Sequence, residues 1–414
     1  MQTRRLIRLD AWLGVPLCAL IDLARAPIGW LRPWRADPRP PEQILVTKFL
    51  GLGSILLATP LLRRLRATYP TARITFLTFG ANAELVRRLP EVDRVEVVRP
   101  GAGVLGLLAS VPSLLWRLRR QRFDLAIDLE FYSRLSNLVN WGSGARRRVG
   151  FFVRDRFRGA LLTDPVYFNP TLPYGDAVQA LLRPLGLEPG QGEPLVAPVV
   201  ARAEAFAAQR RLLTLGVPTE GTVVVLNVNA SDLCYERRWP GERYARLVER
   251  FGAEIAHADR FVFIGTAGES GTVREVLTGI RADLQSRCLD LSGRTSLVEL
   301  TCLLQRAALL ITNDSGPLHL AAALDVPTVS LFGPETPALY GPVGSRHLVL
   351  YAGHWCSPCL SVYNAKIAMC HGENECMRRI GLDQVVQATA RFCREEVGLS
   401  PPLPEGRRSR EPRS

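Results

Sequence analysis

Apolar residues recur along this chain in two rhythms. Short unbroken runs at 44–47 (ILVT), 73–78 (RITFLT), 95–98 (VEVV) and 124–129 (DLAIDL) have the length of strands buried on both faces. Between them, 54–68, 81–89 and 105–120 carry apolar residues at helical spacing. Alternation of this kind predicts a parallel sheet wound with helices on both sides. The stretch 186–200 (GLEPGQGEPLVAPVV) is dense in Gly and Pro, breaks the rhythm and marks an interdomain region. A second series follows, with strands at 223–228 (VVVLNV), 261–265 (FVFIG), 308–312 (ALLIT) and 328–332 (TVSLF). Its helices are expected over 241–257, after Gly271, from Ser296 and over 317–324. The expectation is an α/β protein of two Rossmann-like, doubly wound domains, 41–200 and 201–398, facing across a cleft. A segment 1–40 precedes them, and a charged, Pro-containing tail, 399–414, is expected to be disordered.

The first 35 residues change the picture at one end. Arg4, Arg5 and Arg8 precede an apolar stretch at 11–21, and Ala24-Arg25-Ala26 has the small-x-small form of a cleavage site, as in a signal peptide. Asp10 and Asp22 bracket that stretch too tightly, and it falls short of the about 20 apolar residues that span a bilayer. Leu6, Leu9, Leu13, Leu17, Leu20 and Ala24 share helical spacing, with Trp12, Trp30 and Trp34 nearby. Two readings stand: a helix lying in a membrane interface, or one packed on the protein's own surface.

Over 414 residues, 47% hydrophobic and 22% charged composition suits two buried cores. The excess of 52 Lys+Arg over 39 Asp+Glu, a net charge of +13, favours phosphorylated small molecules, polyanions or anionic lipid surfaces as partners. No RNA-binding or zinc-finger signature and no aromatic platform accompanies the charge, so nucleic acid is not expected. The stretch 145–159 (ARRRVGFFVRDRFRG) sets basic residues beside Phe151, Phe152 and Phe157, either as a rim for an anionic glycolipid or membrane, or as a solvated loop.

Nine cysteines do not suggest a disulfide scaffold. Cys18, Cys234, Cys288, Cys302 and Cys393 are scattered. Cys356, Cys359, Cys370 and Cys376 cluster in the segment 355–378, with His354 and His371 beside them. That spacing reads as a structural zinc site, against the competing reading of unligated reduced thiols, and neither makes them catalytic.

Candidate chemistry lies at two turns. Residues 48–60 (KFLGLGSILLATP) carry a buried strand through Gly51 and Gly53 into a helix starting near Ser54. In 308–337 (ALLITNDSGPLHLAAALDVPTVSLFGPETP), a strand ends at Asn313-Asp314, and Ser315-Gly316-Pro317 opens a helix whose dipole and backbone N–H groups favour a phosphate. The next strand runs into Gly333-Pro334-Glu335, so two loops converge at the carboxyl edge of one sheet, where such sheets bind ligands. The bland reading makes Ser-Gly-Pro a cap and His319 a core residue.

TNDSGPLHLAAAL followed by LFGPETP resembles the nucleotide-sugar signature of glycosyltransferase family 9, the bacterial lipopolysaccharide heptosyltransferases, and the resemblance extends over roughly 44–381. It implies a GT-B fold and inverting transfer from a nucleotide diphosphate sugar without a required metal, to a lipopolysaccharide-core or other glycan acceptor. The sugar would be heptose-like or a hexose. It also implies a cytoplasmic enzyme, peripheral on the inner face of the membrane. The sequence itself lacks an Asp-x-Asp pair, so helix N-termini and cations must neutralise the leaving diphosphate. In 229–240 (NASDLCYERRWP), Arg237 stands where the family has a lysine before Trp-Pro; the loop is about two residues longer, which keeps Arg238 as the alternative. Glu269 in FIGTAGES matches the family's ribose-binding acid, or caps the next helix. The donor set is then Asp314, Ser315, Gly316, Pro317, His319, Glu269, Gly333 and Glu335, with Arg237 assisting catalysis, and Gly51, Gly53 and Ser54 face the acceptor.

In the family the first glycine turn ends Gly-Asp, and that aspartate is the proposed base; here it is Gly53-Ser54. A serine hydroxyl is no base near neutral pH unless another group takes its proton. Three readings remain. Asp128 or Glu130 faces the cleft from a neighbouring strand end, the acceptor needs little base help, or the chain binds donor and has lost transfer. The rivals to a transferase are that non-catalytic nucleotide-sugar scaffold and a sugar-nucleotide epimerase of the same architecture.

Overall fold

The computed structural model describes residues 10, 12, 14–21, 39–99, 103–152, 158, 161–230, 234–361, 366–370 and 372–400. Two six-stranded sheets organise them. The first comprises β1 (Gln43–Thr47), β2 (Arg73–Phe79), β3 (Arg94–Val98), β4 (Leu125–Asp128), β5 (Arg147–Phe152) and β6 (Asp164–Tyr167), in the order β3-β2-β1-β4-β5-β6 with every pair parallel. The second comprises β7 (Val223–Asn227), β8 (Arg260–Phe263), β9 (Cys288–Asp290), β10 (Leu309–Asn313), β11 (Thr328–Phe332) and β12 (His347–Tyr351), in the order β12-β11-β10-β7-β8-β9, again all parallel. Helices cover both faces, so the central strands β1, β7 and β10 are buried almost throughout, which is why they read as unbroken apolar runs. The strand order reverses between β1 and β4 and between β7 and β10, and the loops leaving these strands at their carboxyl ends form the crevice.

The Gly/Pro-rich connection is stitched to the first sheet's helices. Glu193 bridges Arg63 and Arg64 at 2.8 Å each, Val196 donates to Thr59 Oγ1 at 2.9 Å, and Val199 donates to the Arg88 carbonyl at 2.8 Å. Beyond it the helix Arg202–Thr214 packs on the helix Leu297–Arg306, and one apolar cluster runs from Ile44 and Leu61 to Val223 and Leu303. The two halves share core residues and are not merely tethered.

At the N-terminus, residues 14–21 are helical and present Gly14 and Cys18 to the body, while Leu17 and Leu20 on the other side are 47% and 63% exposed and Trp12 is 83% exposed. Asp10 secures the segment: its carboxylate accepts from the backbone N–H groups of Arg134 (2.9 Å) and Leu135 (2.7 Å), which open the helix Arg134–Gly142. One side of the segment therefore packs on the protein's own surface, and the other is exposed. Arg4, Arg5, Arg8, Ala24, Arg25, Ala26, Trp30, Trp34, Phe157, His371 and the tail from 401 lie outside the described residues. Among the described residues no helix is long and apolar enough to cross a membrane.

Candidate active site

A cavity of about 270 Å³ lies where the carboxyl edges of the two sheets meet. Its first wall is the turn after β1. Gly51 has φ +86°, a left-handed conformation that an L side chain resists. Gly53 is required for a different reason: a Cβ there would stand 2.3 Å from His319 Cδ2 of the opposite sheet's helix. The glycine turn thus abuts the helix Gly316–Ala323 directly. Ser54 reaches the cavity, but its hydroxyl donates backwards to the carbonyls of Leu50 (3.0 Å) and Gly51 (2.9 Å).

The acids expected beside this turn are elsewhere, and both assignments are corrected. Glu130 is buried beneath the turn. Its carboxylate accepts from the N–H groups of Phe49 (2.8 Å) and Leu50 (3.2 Å) and lies 3.0 Å from the Lys48 ammonium, so it braces the loop from below. Asp128, the last residue of β4, is equally buried. It accepts from Ser136 Oγ (2.8 Å) and the Glu130 N–H (3.0 Å) and is paired with the Arg158 guanidinium. Burial raises the Asp128 pKa, with Arg158 opposing. Neither carboxylate lines the cavity. Beyond the strand end it is Phe131 and Tyr132, not the two acids, that line the cavity.

The second wall is built from β10 outwards. Asn313 receives the Trp239 N–H (3.0 Å) and the Tyr244 hydroxyl (3.1 Å) and donates to the Asn229 carbonyl (3.1 Å), which folds the 229–239 loop over the strand end. That places Arg237 in the wall, its Nη1 3.1 Å from Asp314 Oδ2. Arg238 instead stacks on Tyr235 and donates to Thr272 at 3.2 Å, so Arg237 is the one turned to the cavity. Ser315 occupies the N-cap position without capping; its hydroxyl bonds sideways to Asn227 (2.7 Å) and Thr312 (3.0 Å). The helix terminus at Gly316 is therefore presented to the cavity without a side-chain cap, as an anion site requires. Pro317 opens the helix. His319 is buried, with Nδ1 lacking a hydrogen-bond partner, and burial lowers its pKa to about 4 against the pull of Asp314, so it is neutral near pH 7.

Glu335, from the loop after β11, completes the wall together with Lys366 and Tyr340, neither of which sequence reasoning found. Glu335 and Lys366 form an ion pair, and the ammonium lies 3.9 Å from the Tyr340 ring centroid. Tyr340 stacks on Tyr174 of the first half at 5.6 Å. An aromatic and a lysine 26 positions apart carry no shared pattern that could have flagged them. Three other expected donor residues stand outside the cavity wall: Pro317, Glu269 and Gly333. Glu269 accepts from Thr266 N (2.8 Å) and Thr266 Oγ1 (2.9 Å) and caps its own turn. Gly333 packs against Met377 and Cys376, where a Cβ would come within 2.4 Å of the Met377 sulfur.

The expected zinc site is not assembled among the described residues: no three His, Cys, Asp or Glu side chains stand together there as a metal set. Cys359 and Cys370 pack around Cys234 and Leu360, Cys376 lies against Gly333, and His354 faces Glu375 at 3.2 Å. None of the nine cysteines forms a disulfide.

The sequence pattern of glycosyltransferase family 9 (heptosyltransferase) matches residues 111–367, more than half of the chain. Lipopolysaccharide heptosyltransferase 2 of Escherichia coli (strain K12) is 27% identical over 322 residues, 74% of this chain and 87% of the relative. Lipopolysaccharide heptosyltransferase 1 of Pseudomonas aeruginosa is 26% identical over 323 residues, covering 77% and 86%. Among solved structures, E. coli ADP-heptose lipopolysaccharide heptosyltransferase II superposes with a TM-score of 0.68 at 24% identity, covering 86% of this chain and 99% of that one. A family 9 glycosyltransferase from Veillonella parvula superposes with a TM-score of 0.70 at 24% identity, covering 86% and 97%. With the signature loops at the cavity and both sheets matched, this chain belongs to glycosyltransferase family 9 and has that family's GT-B fold.

Proposed function

We propose that the protein transfers a heptose-like sugar from an ADP-activated donor to a lipopolysaccharide-core acceptor, in one inverting displacement that needs no metal. The observation that carries this is the juxtaposition of Arg237, Asp314 and the uncapped terminus at Gly316 in one cavity facing the Gly51–Ser54 turn. The helix dipole and the Arg237 guanidinium would hold the leaving diphosphate, the role a metal plays elsewhere. Asp314 and the neutral His319 would take hydroxyls of the sugar. The acceptor hydroxyl would enter past the glycine turn and attack the anomeric carbon opposite the diphosphate, which inverts it. Solved relatives that are an ADP-heptose heptosyltransferase, or a heptosyltransferase bound to ADP-2-deoxy-2-fluoro heptose, support the choice of nucleotide.

The partner surface would be the inner face of the cytoplasmic membrane. Residues 11–21 contain no polar side chain, so the side of the N-terminal helix turned away from the body is apolar. Arg4, Arg5, Arg8 and Arg25 flank it in sequence. An apolar face with cations flanking it in the sequence fits an anionic bilayer. The test of function is transfer from ADP-heptose to heptose-deficient lipopolysaccharide in excess EDTA. Product gaining one heptose supports the reading. Donor binding without product would favour the scaffold, and donor conversion without acceptor the epimerase.

A further inference from the structure

We propose that Glu335 is the general base of the transfer, replacing from the second half of the molecule the carboxylate that the first glycine turn lacks. The inference rests on the transferase reading above. Among the described residues the cavity wall holds two carboxylates, Asp314 and Glu335. Asp314 is engaged by Arg237 at 3.1 Å, on the side where the diphosphate would sit. Asp128 and Glu130 are committed beneath the wall, and the Ser54 hydroxyl is a donor to two carbonyls. Glu335, paired with Lys366, is the remaining carboxylate on the cavity that Ser54, Gly53 and Gly51 close from the other side.

Its surroundings suit the task. The residue is 3% exposed, so its carboxylate works away from bulk water. Burial raises its pKa, the nearby Asp314 raises it further, and Lys366 opposes both. The other titratable groups lining the cavity are the Arg237 and Lys48 cations, the neutral His319, the Cys234 thiol, and the Tyr132, Tyr174 and Tyr340 phenols, whose pKa values burial pushes upward. The result is a carboxylate held anionic by one ammonium yet more basic than a solvated one, which is what a base near neutral pH needs. In the step, the acceptor O–H proton passes to a Glu335 carboxylate oxygen while the acceptor oxygen bonds to the anomeric carbon. The bond from that carbon to the diphosphate breaks, its electron pair leaving on ADP. Glu335 then releases the proton to solvent.

The experiment compares wild type, Glu335→Gln, Glu335→Asp and Lys366→Met for ADP-heptose-induced thermal shift, turnover on heptose-deficient lipopolysaccharide, and pH–rate profile. Glu335→Gln should keep the donor shift and lose about 10²–10³ in kcat, the span that general base catalysis contributes. Glu335→Asp, keeping a carboxylate, should recover part of that loss. In Lys366→Met the acid limb of the profile should move to higher pH, because an ammonium that favoured the anion is gone; a purely structural ion pair would not move it. Glu335→Gln turnover within about threefold of wild type, or an acid limb unmoved in Lys366→Met, would overturn the assignment. A wild type that neither shifts with ADP-heptose nor turns over would instead overturn the transferase reading, and the base with it.

Discussion

Glu130 and His319 show how one side chain is bound to a role that its position in the sequence only half discloses. Glu130 sits at a strand's carboxyl end, where an acid ordinarily faces the ligand, yet its carboxylate is spent on Lys48 and two backbone N–H groups. Glu130→Gln leaves the buried Lys48 ammonium without its counter-charge, which costs about 3–5 kcal/mol. A urea midpoint lowered to match, with donor binding surviving in the folded fraction, is the expected outcome. His319 titrates in the unfolded chain near 6.5 but in the fold only at about 4. Its folded pKa is depressed, so its contribution to stability is complete above about 6.5 and drains away as pH falls towards 4. Melting temperatures of wild type and His319→Gln across that interval should converge as the pH drops; curves that stay parallel would contradict the neutral, buried histidine. Arg237 was legible beforehand only as one of two arginines, because which guanidinium turns inward depends on Asn313, 74 residues away from Trp239, the residue it holds.

At the scale of elements, the central strands were legible because a strand covered on both faces must be apolar at every position, as β1, β7 and β10 are. β6 and β9 were not. β6 contains Pro165 and alternates in burial at a sheet edge, and β9 has three half-buried residues, so neither carries an apolar run. The N-terminal helix was read correctly as helical at 14–21 and as ambiguous in its partner, since an apolar stretch with no polar face does not say which side docks. Asp10 and Gly14 resolve the inward side by meeting the helix Arg134–Gly142. If the outward side meets lipid, Leu17→Ser with Leu20→Ser should weaken sedimentation with vesicles containing anionic phospholipid by about tenfold or more, two leucines being worth at least about 1.5 kcal/mol each when fully buried. Equal sedimentation of variant and wild type would remove the membrane from the account.

For the whole molecule, the two halves meet through a contact with no slack. Gly53 lies against His319, Leu52 against Gly316, and Tyr174 against Tyr340, so the glycine turn and the helix Gly316–Ala323 are in direct contact. Closure of this kind excludes the water that would hydrolyse the donor. Gly53→Ala forces the buried His319 ring to move, an overpacking cost of about 1–3 kcal/mol that falls on the closed arrangement. Transfer should drop about tenfold or more while ADP, whose proposed contacts lie wholly in the second half, binds as before. The facing domains were legible from two strand–helix series divided by a Gly/Pro segment. Of the cavity's Glu335–Lys366–Tyr340 corner only Glu335 was, because the corner forms only when the 366 segment returns across the loop after β11.

On the proposed function, Arg237, Asp314 and the Gly316 terminus make a metal-free site for the donor's diphosphate. This is tested most directly by thermal shift with ADP in excess EDTA, with GDP, UDP and dTDP alongside and Arg237→Ala as the variant. ADP at a hundred times its dissociation constant should stabilise the wild type by about 2.7 kcal/mol, a shift of several degrees. At the same concentration Arg237→Ala should lose most of that shift, and the other nucleotides should give less. A well-folded wild type that no nucleotide stabilises, or an ADP shift unchanged in Arg237→Ala, would contradict it.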